Sequence, residues 1–215
     1  MDLARPLTLI TPTIDGDVLT VLAGATASFT GRQVHQVAGR HSERGVRNAL
    51  HRLSEQGIVT RHRVGASNQY TLNRTHIAAP YIEALVRLRT ELLHRIRAEL
   101  ESWRVRAEFA SLFGSAAQGS MRPDSDIDLF VVRPTGVDPG DPWLEQLSSL
   151  AEAVTSWTGN DTRLLELSAE ELREGLAAGE PVLVSIRDEG VPLCGSRSYL
   201  HLFGRSEYKA GARGA

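Results

Sequence analysis

Two aspartates stand two residues apart in the run Ser125-Asp126-Ile127-Asp128-Leu129. In a strand, alternate side chains share a face, so Asp126 and Asp128 project together while Ile127 and Leu129 turn to a core. Neighbouring carboxylates repel at neutral pH unless they share a proton or a cation. Paired oxygen donors suit a hard ion, Mg²⁺ or Mn²⁺; Mg²⁺ takes one or two carboxylates and fills its shell with water and phosphate oxygens. Upstream, the apolar stretch AEFASLFG ends at Gly114-Ser115. A strand that turns there into a helix offers backbone N–H groups and a helix dipole to an anion. Gly114 lets a phosphate come close to the backbone, and the Ser115 hydroxyl can donate to it. One half of such a site holds phosphates and the other holds the metal that bridges them.

The elements that position these residues follow from periodicity. From residue 108 onward, short strands alternate with helices. AEFASLFG, SDIDLFVV and TRLLELS read as strands, and VPLC as a short final one. PWLEQLSSLAEAVTSW places Leu144, Leu147, Leu150, Ala151 and Val154 on one helix face. Ser168 with Glu171 forms a capping box for the next helix. PVLVSI is read as helical and ended by Gly190, and the polar tail 204–215 is read as flexible.

The first part of the chain is organised differently. The spacing predicts helices over 15–23, over 31–38 with a Thr30/Gln33 capping box, and from Ser42 to Gln56. IVTRHRV and NQYTLN, joined by GAS, read as a hairpin. A long helix over 77–104 carries Tyr81, Leu85, Leu88, Leu92, Ile96, Leu100 and Trp103 on one stripe. That stripe is a candidate surface for a homodimer.

Residues 15–75, helix, helix, turn, helix and hairpin, resemble the winged helix-turn-helix transcriptional regulators of bacteria. The resemblance implies duplex DNA as partner and a role in transcription regulation. Arg44, Arg47, Asn48 and His51 would face base edges, with Ser42 at the start of that helix. Arg40, Arg52, Arg61 and Arg63 would meet phosphates.

The set Gly114-Ser115, Gly119, Arg122-Pro123, Ser125-Asp126 and Asp128 resembles the DNA polymerase beta-like nucleotidyltransferase superfamily, especially its minimal bacterial members, over about 105–195. The resemblance implies a nucleoside triphosphate substrate, Mg²⁺-dependent transfer of its nucleotide monophosphate to an acceptor hydroxyl, and two metals. Gly114, Ser115, Gln118, Arg122 and Ser125 would bind nucleotide. Asp126, Asp128 and a third acid would be catalytic and hold metal. Gln118 stands where the family often has arginine. Leu165-Glu166-Leu167 offers Glu166 as the third acid; in another register that position falls on Arg163, and Asp161 lies before the strand. The expected architecture is α+β: a winged helix over 1–76, a connecting helix over 77–104, and a mixed-sheet nucleotidyltransferase domain over 105–203.

Bulk composition frames these readings. The chain has 215 residues, 41% hydrophobic and 23% charged, and one cysteine, Cys194. A lone cysteine excludes an internal disulfide and multi-thiolate zinc sites, and makes a cytoplasmic setting the simplest expectation. No long apolar run or signal segment is evident, so no membrane partner is expected. The net charge of −2 divides into +4 over residues 1–75 and −6 over the remainder, as expected of two modules with different partners. The acceptor is open: protein, RNA or small molecule. Two other roles stay open as well, a regulator that senses nucleotide and a toxin–antitoxin component.

Overall fold

A computed structural model describes residues 1–203, so the expected tail lies outside the described residues. The chain divides into two compact units, Asp2–Thr90 and Glu91 onward, Met1 counting with the second. Among the described residues no helix is long and apolar enough to cross a membrane.

The first unit runs α1 (Ile14–Ala23), β1 (Phe29–Thr30), α2 (Gly31–Ala38), α3 (Glu43–Glu55), β2 (Val59–Val64), β3 (Ser67–Leu72) and α4 (Ala79–Val86). Its three strands are antiparallel in the order β1-β3-β2. Thr30 and Gln33 close the expected capping box, and Ser42 Oγ caps α3 by accepting from Gly45 N at 3.1 Å. Val18, Leu22, Val34, Val46, Leu50 and Leu53 meet Val59 and Leu72 in one core. Each such aliphatic side chain contributes roughly 1.5–3 kcal/mol on burial. Beneath this core Asp17 takes a two-pronged bond from Arg5, 2.9 Å from Nε and 2.6 Å from Nη2, with His41 Nε2 at 2.5 Å.

The second unit runs α5 (Leu88–Ser102), β4 (Phe109–Phe113), α6 (Gly114–Gln118), β5 (Ile127–Arg133), α7 (Trp143–Thr158), β6 (Thr162–Ser168), α8 (Ala169–Ala178), α9 (Pro181–Glu189), β7 (Val191–Cys194) and α10 (Ser198–Phe203). The sheet order is β6-β5-β4-β7, parallel between β5 and β6 and antiparallel elsewhere. It is therefore a mixed sheet in an α+β fold. On one face Phe130 and Val132 pack with Leu172, Leu176, Leu183, Ile186 and Leu200. On the other, α7 lies against β6, and Trp143 meets Trp103 edge-on at 5.4 Å between ring centroids. At the sheet edge β7 carries Pro192, and its pairing with β4 is interrupted by a bulge between Ala110 and Ser111.

The helix expected over 77–104 is two helices that part at Arg87. Ile82, Leu85 and Val86 pack on the first core. Leu92, Ile96, Leu100 and Trp103 are buried, and Arg97 Nη2 donates to Pro192 O at 3.0 Å. The stripe beyond Leu92 is thus consumed inside the chain and is not left open for a second copy.

Candidate functional site

Strand β4 brings Phe113 opposite Asp128 on β5, and the chain leaves the strand at Gly114 with φ of +67°. A Cβ at Gly114 would overlap Asp128 Oδ2 and stand 3.3 Å from its Cγ. Only glycine meets both demands, the left-handed backbone and the close approach. Ile127 is buried, whereas Asp126 and Asp128 are half-buried. Burial, and then the negative charge of Asp126, push the Asp128 carboxyl above its ordinary range; Arg163 offsets part of this. The two acids therefore share a side, and their repulsion is not fully relieved. The helix that follows, α6, has five residues. A macrodipole builds over several turns, so it adds little here.

Glu166, expected as the third acid, is not with this pair. In the parallel register Asp128 lies beside Arg163, and Glu166 lies beside Val131. Strand neighbours two apart share a face, so Glu166 points to the face opposite Asp128. There it accepts from Arg133 Nε at 2.7 Å and from Trp143 Nε1 at 3.2 Å. The side chain beside the acid pair is Arg163, whose Nη2 lies 2.8 Å from Asp126 Oδ2. Among the described residues no group of three His, Cys, Asp or Glu side chains could hold a metal. The chemistry present fits one Mg²⁺ ion held by two carboxylates and completed by phosphate and water. It does not fit a site that needs three acids for two metals.

The remaining predicted residues divide between turn-building and exposure. Ser125 Oγ accepts from Arg122 N at 3.0 Å and Ser125 N donates to Arg122 O at 3.0 Å, closing the loop before β5. The Arg122 side chain is exposed and faces Asp124 at 3.5 Å. Gln118 donates to Glu189 of α9. Ser115 stands half-buried in α6, next to Gly114. Sequence reading missed Asn160, a buried side chain whose Nδ2 donates to Pro123 O at 3.1 Å and Ser125 O at 2.8 Å. It fastens the acid-bearing loop; an asparagine in a Gly-Asn-Asp turn carries no sequence signal for that.

In the first unit, Arg44, Arg47, Asn48 and His51 lie on the exposed face of α3, opposite buried Val46, Leu50 and Leu53. Arg47 bonds Glu43 at 3.3 Å, His51 Nδ1 lies 3.2 Å from Glu55, and Arg52 is drawn to Asp15 on α1 at 2.7 Å. Ser42 is engaged as the cap of α3. Arg40, Arg61 and Arg63 are exposed. Arg61 and Arg63 share the strand face of buried Val59, and they emerge from the core as the hairpin extends past it.

Residues 96–184 match the family model described as polymerase beta, nucleotidyltransferase. No curated protein matches the chain. Among solved structures the chain is similar to a toxin–antitoxin crystallised with AMP-PNP, at 23% identity over 52% of this chain and 80% of that one, with a TM-score of 0.37. It is also similar to mutant forms of the toxin–antitoxin MntA–HpeT, at 22% and 25% identity with TM-scores of 0.37 and 0.36; these cover 52% of this chain and 80% and 78% of theirs.

Proposed function

We propose that the second unit is a Mg²⁺-dependent nucleotidyltransferase that binds a nucleoside triphosphate and moves its nucleotide monophosphate to an acceptor hydroxyl: the acceptor oxygen bonds to the α-phosphorus and loses its proton, the bond from the α-phosphorus to the bridging oxygen breaks, and pyrophosphate leaves. The observation that carries this reading is the acid pair closed against Gly114, where a side chain at residue 114 would overlap Asp128. Asp126 and Asp128 would hold one Mg²⁺, which supplies charge neutralisation for the phosphates. Gly114 gives the phosphates access to the backbone, Ser115 offers a hydroxyl, and Asn160 holds the loop that presents the acids. Labelled nucleoside triphosphates, Mg²⁺ and cell lysate should mark an acceptor. Asp126→Ala with Asp128→Ala should lower labelling by about 10³-fold or more, as expected when the groups that offset transition-state charge are lost. Labelling that survives the double substitution would overturn the assignment.

One observation favours a second reading, in which the unit binds nucleotide as a sensor without transferring it. Arg163, not a carboxylate, lies beside Asp128, and Glu166 is committed to Arg133 and Trp143. Under this reading no acceptor is labelled, yet nucleotide changes the protein's affinity for DNA.

The first unit is proposed as a winged helix-turn-helix that binds duplex DNA in the cytoplasm. Support comes from the order helix, strand, helix, helix, hairpin, from the β1-β3-β2 sheet, and from the exposed Arg44, Arg47 and Asn48. Replacing Arg44 and Arg47 together by Ala should weaken DNA binding by about 10- to 100-fold and flatten its salt dependence. The Glu43 and Glu55 partners temper the positive face, which places the effect toward the lower end. A salt slope unchanged by both substitutions would assign the unit to protein contacts.

A further inference from the structure

We propose that the Asp126–Arg163 pair makes this a one-cation site, in which the Arg163 guanidinium is the built-in counter-charge and passes from Asp126 to the triphosphate when nucleotide binds. The inference rests on the nucleotide-binding reading of the site and holds whether or not transfer follows.

Asp126, Asp128 and Arg163 together carry −1, so one divalent cation already exceeds what the acids need. Arg163 lies beside Asp128 in the strand register and touches Asp126 at 2.8 Å. It also offsets part of the charge that Asp128 feels. Among the described residues no other acid joins the pair to hold a second ion. Glu166 faces away, and Asp161 joins no group of three acids among the described residues.

The pair is also built to separate. β6 is an edge strand, and the Arg163 side chain is 73% exposed. Asp126 is half-buried, but the Arg163 end of the pair lies in water, so the guanidinium can leave without being desolvated. A guanidinium presents a planar fork of donors that matches phosphate oxygens as well as it matches a carboxylate. Arg163 is therefore a positioning residue in the empty protein and a phosphate ligand in the loaded one. Its withdrawal from Asp126 also frees that carboxylate for the incoming cation.

The test is equilibrium dialysis of the full chain with Mn²⁺ and the α,β-methylene analogues of ATP, GTP, CTP and UTP, each in turn. The wild type should hold one Mn²⁺ for each bound analogue. Arg163→Gln removes the competing cation, so Mn²⁺ affinity without nucleotide should rise about 5- to 10-fold. In the same variant analogue affinity should fall about 10-fold, because a charge-assisted contact is lost. Opposite movement of the two constants is something a merely structural arginine would not produce. Arg163→Lys keeps the charge and should return Mn²⁺ affinity to the wild-type value while recovering only part of the nucleotide affinity. Arg163→Glu should admit a second Mn²⁺. Two Mn²⁺ ions in the wild type, or no change of either constant in Arg163→Gln, overturns the inference and leaves nucleotide binding standing. Failure of the wild type to take up any of the four analogues overturns the underlying reading, and this inference with it.

Discussion

Each unit of this chain sets aspartate beside arginine, to opposite ends. In the first, Asp17 is 7% exposed and its two oxygens are met by Arg5 and His41. Burial pushes its carboxyl up, but the bonds from Arg5 and His41 and their charges outweigh that, and the net direction is downward. In the second, Arg163 reaches Asp126, and Asp128 is left with burial and a like charge, so its carboxyl moves upward. A fully partnered acid holds a fold together, whereas an acid left short of positive charge is a place where a cation is wanted. The partners each acid finds, more than the residue type, separate the structural cluster from the proposed site.

The strongest way to break this contrast is to remove Asp17. Asp17→Ala strands the half-buried Arg5 guanidinium, and losing its charge-assisted hydrogen bonds should cost about 1.5–3 kcal/mol. The loss should appear as faster amide exchange in α1 with β5 unaffected. The depressed carboxyl also sets a pH dependence. Its stabilising contribution is complete above the unfolded value of 3.8 and disappears as pH falls through the lower folded value. Exchange rates in α1 that ignore Asp17→Ala, or that rise with increasing pH above the intrinsic rate, would remove the structural half of the comparison.

Gly114→Ala comes next. It forces a methyl group against Asp128 at a positive φ, a strain of about 1–3 kcal/mol. The expected outcome is lower stability of the second unit together with loss of nucleotide uptake, measured by thermal melting and dialysis. Retained uptake would show that the close approach at Gly114 does not serve the ligand.

The smallest effect has the opposite sign. Asp128→Asn removes a repelled charge, so the metal-free second unit should melt no lower than the wild type at neutral pH, and about a degree or two higher. An acid with a raised folded value favours the fold most when protonated, and that advantage is lost as pH climbs from 3.8 through the raised value. The gain should therefore vanish in acid. A clear fall in melting temperature at neutral pH would mean that Asp128 is a structural acid like Asp17.

Much of the fold was legible because its signals are local. The boxes at Thr30/Gln33 and Ser168/Glu171 formed as expected, since each needs only residues three apart. The strand around Ile127 followed from alternation, as did the shared side of Asp126 and Asp128. What was missed depends on distant partners. Glu166 has the apolar-acid-apolar setting of a site residue, but its face is set by the register that lays it beside Val131. A strand does not encode its offset from a neighbour. The parting at Arg87 was hidden for a related reason. The apolar stripe continues through it without Gly or Pro, and each half finds its own core only in three dimensions. The pairing of Asp17 with Arg5 and His41 spans 12 and 24 positions and leaves no trace in any short window.

The outer strand β7 is an open margin of the second sheet. A bare sheet margin is a template on which another chain can polymerise. Here that margin is four residues long, lacks one donor at Pro192, and is kinked by the bulge at Ala110/Ser111. Backbone recruitment along the β7 side of the sheet is therefore frustrated. Replacing Pro192 with valine would restore the missing N–H and remove part of that frustration.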